Sequence, residues 1–379
     1  MTGNDFRAAL RARAAAIFLG AAVAGAGLAI SVPADAAVRP AVGRPLQEAQ
    51  SLAASGNYSG AMAKVHQAEA VGGLTGEESH VIEQMKAYVE SRENSTSGAG
   101  KLAADYRSGR WSAVIQDAES MKGLGANDMA AVATAYYRLH QDSQCLSYID
   151  QHFGNGGGAV VLEIKRACAY EAGNDKAQTE ALEQLVAITG KPDYWSQLLS
   201  SAERSKALKD PQMLDIYRLR LRTGSMEGAK DYMLLSKLAL AGGFPSEAMA
   251  VEQKGIDAKV LSGDTVNRLV AMSKTQQAQD IGGWAAKLAA AQKAPSGDAL
   301  IKLGEDLIGQ GKAKDAIPLI QQGIAKDKTD MGNAYRTLGL AYLDAGDKDQ
   351  AIRAFGKVKG NGTPNQELLA RIWILYARK

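Results

Sequence analysis

The chain has 379 residues and a net charge of +3, with 44 basic and 41 acidic residues. This near balance argues against nucleic acid as a partner, because phosphate binding needs a concentrated basic surface. Hydrophobic residues make up 46% of the chain and aromatic residues only 6%. Together with an abundance of strong helix formers, this composition predicts an all-α protein.

The first 37 residues have the pattern of an export signal. Three arginines between positions 7 and 13 form a basic segment, and a Gly- and Ala-rich apolar stretch follows over residues 14–32. An A-x-A motif that ends at Ala36 then offers a cleavage site. An uncleaved membrane anchor is the alternative. We predict a cleaved signal peptide over residues 1–37, a periplasmic location, and no membrane span in the mature chain.

Short turn signals recur along the next 250 residues. Gly56, Gly109, Gly173 and Gly243 each stand where one amphipathic helix is expected to end and another to begin. The segments that we expect to form the first helices of such pairs include Met129–His140, Asp210–Thr223 and Asp231–Ala241.

Composition suggests the boundaries between regions. The polar segment 91–100 (SRENSTSGAG) reads as a linker or long loop, and KAPSG at residues 293–297 marks a second break. We therefore expect N-terminal helices in 38–90 and divergent helix pairs in 101–292. The last region, 293–379, should hold two regular pairs and a capping helix.

The clearest internal repeat lies near the C-terminus. Residues 299–323 match residues 334–358 at a constant offset of 35 residues. The matched pairs are Leu303-Gly304 with Leu338-Gly339, Leu307 with Tyr342, Gly311 with Gly346, Ala316 with Ala351, and Ile320 with Phe355. Each copy is typical of two helices joined by a glycine turn, with small residues where the helix axes come close.

In the second copy, this pattern resembles the tetratricopeptide repeat family at Gly339, Tyr342, Gly346, Ala351 and Phe355. Val358 departs from it, since alanine is usual there. The resemblance implies an α-solenoid, a superhelix of antiparallel helix pairs that binds proteins or peptides.

A shorter resemblance involves Lys191–Trp195 (KPDYW) and the later segment Leu234–Ala248. It is similar to periplasmic tetratricopeptide proteins associated with TonB-type systems, which implies a role beside outer-membrane receptor energisation.

The chain ends in an amphipathic helix. Thr363 is a typical N-cap, with Pro364 at the first helical position and Gln366 completing a capping box. The helix is expected to cover the last exposed face of the superhelix. Ile374 and Leu375 widen its apolar arc, so docking of a partner is the alternative.

Ligands of the repeat family lie along the inner surface made by first helices. The resemblance places the following residues at exposed inner positions: Asp298, Ile301, Glu305 and Ile308 in one copy, and Asn333, Arg336, Leu340 and Asp344 in the next. Our candidate partner-binding residues are Asp298, Glu305, Asn333, Arg336, Leu340 and Asp344. The alternative is that many of them pack on neighbouring helices.

The two cysteines, Cys145 and Cys168, flank the glycine-rich segment 154–158 at similar distances. If that segment connects two antiparallel helices, the thiols lie side by side. In an oxidising compartment we expect a disulfide. Two unpaired core cysteines are the alternative.

Motifs for catalysis are lacking in the sequence. The four histidines form no zinc-binding spacing, so we expect no metal and no cofactor. The basic run Tyr217–Arg222 alternates arginines with apolar residues, and we interpret it as a solvated face or, alternatively, a site for a small acidic surface.

The sequence thus predicts a non-enzymatic scaffold or adaptor for a protein or peptide partner, with a role in envelope transport or assembly. Binding of cell-wall glycan or peptide is one alternative, and an envelope enzyme is another.

Overall fold

In the computed structural model, residues 38–121, 123–154, 156–205, 208–326 and 328–379 are described. The predicted signal peptide lies outside them. The described residues contain helices and turns and no strand, which confirms the all-α prediction. No helix among them combines the length and the apolarity that crossing a bilayer requires.

The described helices belong to two compact units, and the boundary along the chain falls between Gly157 and Gly158. The helices of the first unit are α1 (Pro40–Ala54), α2 (Tyr58–Glu69), α3 (Gly76–Thr96), α4 (Gly98–Arg107), α5 (Trp111–Ser120), α6 (Ala126–Arg138) and α7 (Asp142–Phe153). Those of the second unit are α8 (Gly158–Glu171), α9 (Asp175–Thr189), α10 (Pro192–Ser205), α11 (Asp210–Thr223), α12 (Ala229–Gly242), α13 (Pro245–Asp257), α14 (Asp264–Lys293), α15 (Asp298–Gly309), α16 (Ala313–Ile324), α17 (Met331–Asp344), α18 (Lys348–Gly356) and α19 (Pro364–Ala377).

The predicted turns are confirmed. Gly56, Gly109, Gly173 and Gly243 each have positive φ and lie between consecutive helices. The chain divides into its two compact units inside the glycine-rich segment 154–158.

The expected linker at residues 91–100 is wrong. Helix α3 continues to Thr96, and α4 begins at Gly98. Only Ser97 interrupts the helical backbone, and its side chain accepts a hydrogen bond from Gly100 N at 3.0 Å. A polar, Ser-rich composition is compatible with a solvated helix. The interruption between α3 and α4 is a single residue, which is enough for an N-cap.

The C-terminal repeat is confirmed as two successive hairpins, α15–α16 and α17–α18. A Cβ added to Gly339 would lie 2.5 Å from the ring of Phe355, and one added to Gly304 would overlap Ile320 in the same way. Glycine is thus required at equivalent positions of both copies, because the helix axes approach too closely for a side chain.

The two cysteines of the chain are both disulfide-bonded, as the sequence predicts.

In the second unit, α19 packs not only on its neighbours α17 and α18 but also on α9 and α11. Trp373 is fully buried and stacks on Phe355, with 5.9 Å between the ring centroids. Ile374 and Leu375 are partly buried and pack against the same core. The broad apolar arc of α19 is therefore covered within this unit. The succession of packed helices is consistent with the predicted α-solenoid, and α19 adds contacts to α9 and α11 beyond those between consecutive hairpins.

Helix α14 interrupts the series of hairpins. Its 30 residues run without a turn. At its C-terminal end, the ammonium group of Lys326 donates to the carbonyl oxygens of Ala291, Gln292 and Ala294 at 2.9, 2.8 and 2.6 Å. This side chain satisfies acceptors that a helix end leaves without partners.

Candidate binding site

The centre of the second unit contains a buried set of ion pairs, here called the inner network: Asp215, Arg218, Glu247, Glu305 and Arg336. Arg218, on α11, donates from Nε and Nη2 to the two carboxylate oxygens of Glu247 at 2.7 and 2.6 Å. Its Nη1 donates to Glu305 Oε1 at 2.6 Å. The planar guanidinium suits this arrangement, because its donors form a fixed fork.

Arg336, on α17, completes the inner network. It donates to Asp215 Oδ1 at 2.7 Å and to Glu305 Oε2 at 2.7 Å. Asn333 Oδ1 accepts a further bond from Arg336 Nη2 at 2.8 Å. The network therefore joins α11, α13, α15 and α17, and one of its bonds connects residues 121 positions apart.

Three carboxylates share two guanidinium groups in this network. Burial raises the pKa of Glu305, but Arg336 and Arg218 outweigh burial and lower this pKa to about 2. At Asp215, burial outweighs the same two arginines and raises the pKa. The Oδ2 atom of Asp215 has no hydrogen-bond partner. The shared hydrogen bonds hold these side chains in fixed positions.

A cavity of about 310 Å³ lies beside the network, and we call it the inner cavity. Its lining residues are Arg218, Leu221, Arg222, Glu247, Ala250, Val251, Lys254, Glu305, Ile308, Gly309, Leu340 and Asp344. Arg222 donates to both oxygens of Asp344, at 2.6 and 2.8 Å, and lies 5.5 Å from the ring centroid of Trp373. Lys254 is exposed.

The structure brings together most of the residues that the sequence proposed for binding. Glu305, Leu340 and Asp344 line the inner cavity, Arg336 lies directly behind it, and Asn333 contacts Arg336. Asp298 lies apart and accepts a hydrogen bond from Asp330 N at 2.8 Å. Whether any of them contacts a partner stays a prediction.

The expectation that the inner positions are exposed is wrong for four residues. Ile301 is fully buried, and Glu305, Arg336 and Leu340 are 5%, 6% and 2% exposed. The surface that would line an open groove is covered here by α11, whose Arg218 pairs with Glu305. The alternative, packing on neighbouring helices, therefore holds for these positions.

The contribution of α11 to the site was not predicted from the sequence. The run Tyr217–Arg222 is not a solvated face, since Arg218 and Arg220 are 6% and 4% exposed. Arg218 and Arg222 lie four residues apart and therefore share one helical face, which borders the inner cavity. Arg220 points elsewhere and donates to Ser200 Oγ at 2.8 Å. The sequence feature that indicates this shared face is the i, i+4 spacing of Arg218 and Arg222.

A metal centre has no support in the part of the chain that the structure describes. No group of three or more His, Cys, Asp or Glu side chains is placed there to hold an ion.

No known protein-family profile matches the chain. No curated protein matches it either. Among solved structures, the chain is similar to the hetero-tetramer Cut9–Hcn1 of APC/C, at 12% identity over 88% of this chain and 71% of that one, with a TM-score of 0.24. It is also similar to a tetratricopeptide repeat protein from Parabacteroides merdae ATCC 43184, at 10% identity over 89% of this chain and 99% of that one, with a TM-score of 0.23. At these identities and TM-scores, neither likeness bears on function.

Proposed function

We propose that this chain is a periplasmic scaffold that holds a segment of a partner protein at the inner cavity. The observation that carries the proposal is the cavity itself, which four helices line with both apolar and charged side chains. Its place in envelope transport or assembly, including energy-transducing systems of the TonB type, rests on the sequence resemblance alone.

The chemistry of the lining favours binding over catalysis. The carboxylates of Glu247 and Glu305 are bonded to Arg218, and that of Asp344 is bonded to Arg222. Groups held in such pairs are poor proton carriers but form a rigid, pre-organised surface, which reduces the entropy lost when a partner binds.

The size and polarity of the cavity favour a short protein segment. A volume of about 310 Å³ accommodates a few side chains. Leu221, Val251, Ile308 and Leu340 supply apolar contacts, and the ammonium group of Lys254 offers a charge for an acidic group. The lining contains no aromatic side chain, whereas a row of aromatic rings is what would favour cell-wall glycan.

The periplasmic location is supported by the sequence pattern of residues 1–37 and fits the disulfide, since disulfides persist in oxidising compartments. Release by osmotic shock, together with an intact mass that lacks the first 36 or 37 residues, is the expected result. Retention in the cytoplasm at full length would contradict it.

The binding site is tested by filling the cavity. Ala250 is exposed and lines the cavity, so Ala250→Arg occupies it without disturbing the core. The matched control is Ala289→Arg, at an exposed alanine of α14 outside the lining. After crosslinking in the periplasm of the native bacterium, the wild type and the control should capture the same partner protein. The amount captured by Ala250→Arg should be lower on the order of tenfold.

Equal capture by all three forms would show that the partner binds elsewhere. Recovery of no protein, together with turnover of a wall fragment, would overturn the scaffold function.

A further inference from the structure

Helix α14 meets α15 through an apolar contact and an acidic one. Trp284 and Leu288 pack against the core that contains Leu300 and Leu303. One turn before Trp284, Asp280 faces Asp306 of α15, and the two carboxyl groups are within hydrogen-bonding reach of each other. Asp306 is 3% exposed, and the side chain of Asp280 is 11% exposed.

Each of these carboxyl groups has one oxygen with a protein donor and one without. Lys287 donates to Oδ1 of Asp280, and Gln310 Nε2 donates to Oδ2 of Asp306 at 2.8 Å. Oδ2 of Asp280 and Oδ1 of Asp306 are buried and have no donor. A proton between the carboxyl groups would satisfy both oxygens and remove the repulsion of two like charges.

The surroundings supply little further compensation. Lys287 is the cation of α14 that faces the pair, and Lys312 is bonded to Gln310 rather than to a carboxylate. Glu247 of α13 and Arg336 of α17 are paired within the inner network.

The other charged side chains of α14 and those of α16, which also packs on α15, are exposed to solvent. The exposed ones on α14 and α16 are Asp264, Arg268, Lys274, Lys293, Lys314 and Asp315.

A second carboxylate pair in the first unit shows the contrast. Asp105 and Asp117 also face each other, but Arg110 Nε donates to Asp105 at 2.7 Å and Lys101 pairs with Asp117. With a cation for each acid, Arg110 and its neighbours lower the pKa of Asp105.

We propose that Asp280 and Asp306 share one proton and that its loss weakens the attachment of α14 to α15. The adjacent Gly282-Gly283 gives the helix a place to bend, because a glycine pair lowers local helix stability. This device is independent of the inner cavity and of the proposed function.

The direction of the effect follows from linkage. Burial and the neighbouring Asp280 raise the pKa of Asp306 from 3.8 to about 7. The folded state therefore binds this proton more tightly than the unfolded state does. The stabilisation is complete below about pH 4 and is lost as the pH rises through about 7.

Amide hydrogen exchange of the full chain tests the proposal. Peptides that cover residues 274–293 should exchange on the order of tenfold faster at pH 8.5 than at pH 5.5, after correction for intrinsic exchange. Peptides that cover residues 98–107, beside the compensated pair, should show no such change.

Asp306→Asn is the decisive variant, because its amide donates to Asp280 at every pH. At pH 8.5 this variant should still have the protection from exchange that the wild type has at pH 5.5. Asp280→Asn should behave in the same way, and it replaces the first variant if that one folds poorly. The proposal is overturned if wild-type exchange does not depend on pH, or if both asparagine variants lose protection at pH 8.5. Suppression of the pH effect by added Ca²⁺ would assign the pair to a cation instead.

Discussion

Arg336→Met should be among the most destabilising single substitutions in the second unit. Arg336 is 6% exposed and donates to Asp215, Glu305, Asn333 and Thr337. Methionine fills much of the same space but carries no charge. The variant thus tests the inner network itself, with little change in packing.

The expected loss follows from what remains after the substitution. Glu305 keeps its bond to Arg218 at 2.6 Å, but the contact between Arg218 and Asp215 is long, at 3.4 Å. Asp215 would be left as a nearly uncompensated buried carboxylate. Removing one partner of a buried ion pair costs about 3–5 kcal/mol, which is a large part of the stability of most domains.

The assay is urea denaturation of the disulfide-bonded full chain, followed by circular dichroism at 222 nm, with hydrogen exchange of α15 and α17 to localise the loss. Arg371→Met is the matched control. Arg371 also joins distant helices, through Glu183 at 2.9 Å, but its side chain is 56% exposed. Because Arg371 is largely exposed and water can replace its bond to Glu183, the control should cost only about 1 kcal/mol.

A double variant separates charge from packing. Adding Asp215→Asn to Arg336→Met removes the stranded carboxylate and should recover roughly 1–3 kcal/mol. The reasoning is refuted if Arg336→Met costs no more than Arg371→Met, or if the second substitution only adds to the damage.

Three further outcomes are expected. Gly339→Ala should cost about 1–3 kcal/mol in thermal denaturation, because its Cβ would overlap Phe355, whereas Gly356→Ala, with nothing within 4 Å, should be neutral or slightly stabilising. Lys326→Met should speed amide exchange in the last turn of α14 and leave other helices unchanged, since three carbonyl oxygens lose their donor. The pKa of Glu305 is lowered to about 2, so the stability difference between the wild type and Glu305→Gln should be full above about pH 4.5 and shrink as the pH falls toward 2.

Local features were predictable because they depend on interactions within a few residues. The capping box at Thr363 and Gln366 forms as expected. The repeat offset correctly identified Gly304 and Gly339 as sites of close helix approach. These are properties of a turn, a cap or one hairpin, and each is encoded in a short segment.

The errors of prediction share a different cause. Polar composition suggested a linker at 91–100, yet a solvated helix has the same composition. Arginine alternation in α11 suggested a solvated face, because nothing in that segment shows that Glu247 and Glu305 lie opposite it. The burial of α11 depends on partners far away in the chain.

The sequence by itself determined that this protein is a series of helical hairpins with two cysteines able to pair. Only the tertiary structure decided that α19 packs back on α9 and α11, and that Arg336 meets Asp215 from 121 positions away. The physical reason is that a hairpin is stabilised by its own contacts, whereas the path of successive hairpins is a sum of small packing angles. No single segment specifies that sum, and it is what brings the charges of the inner network together.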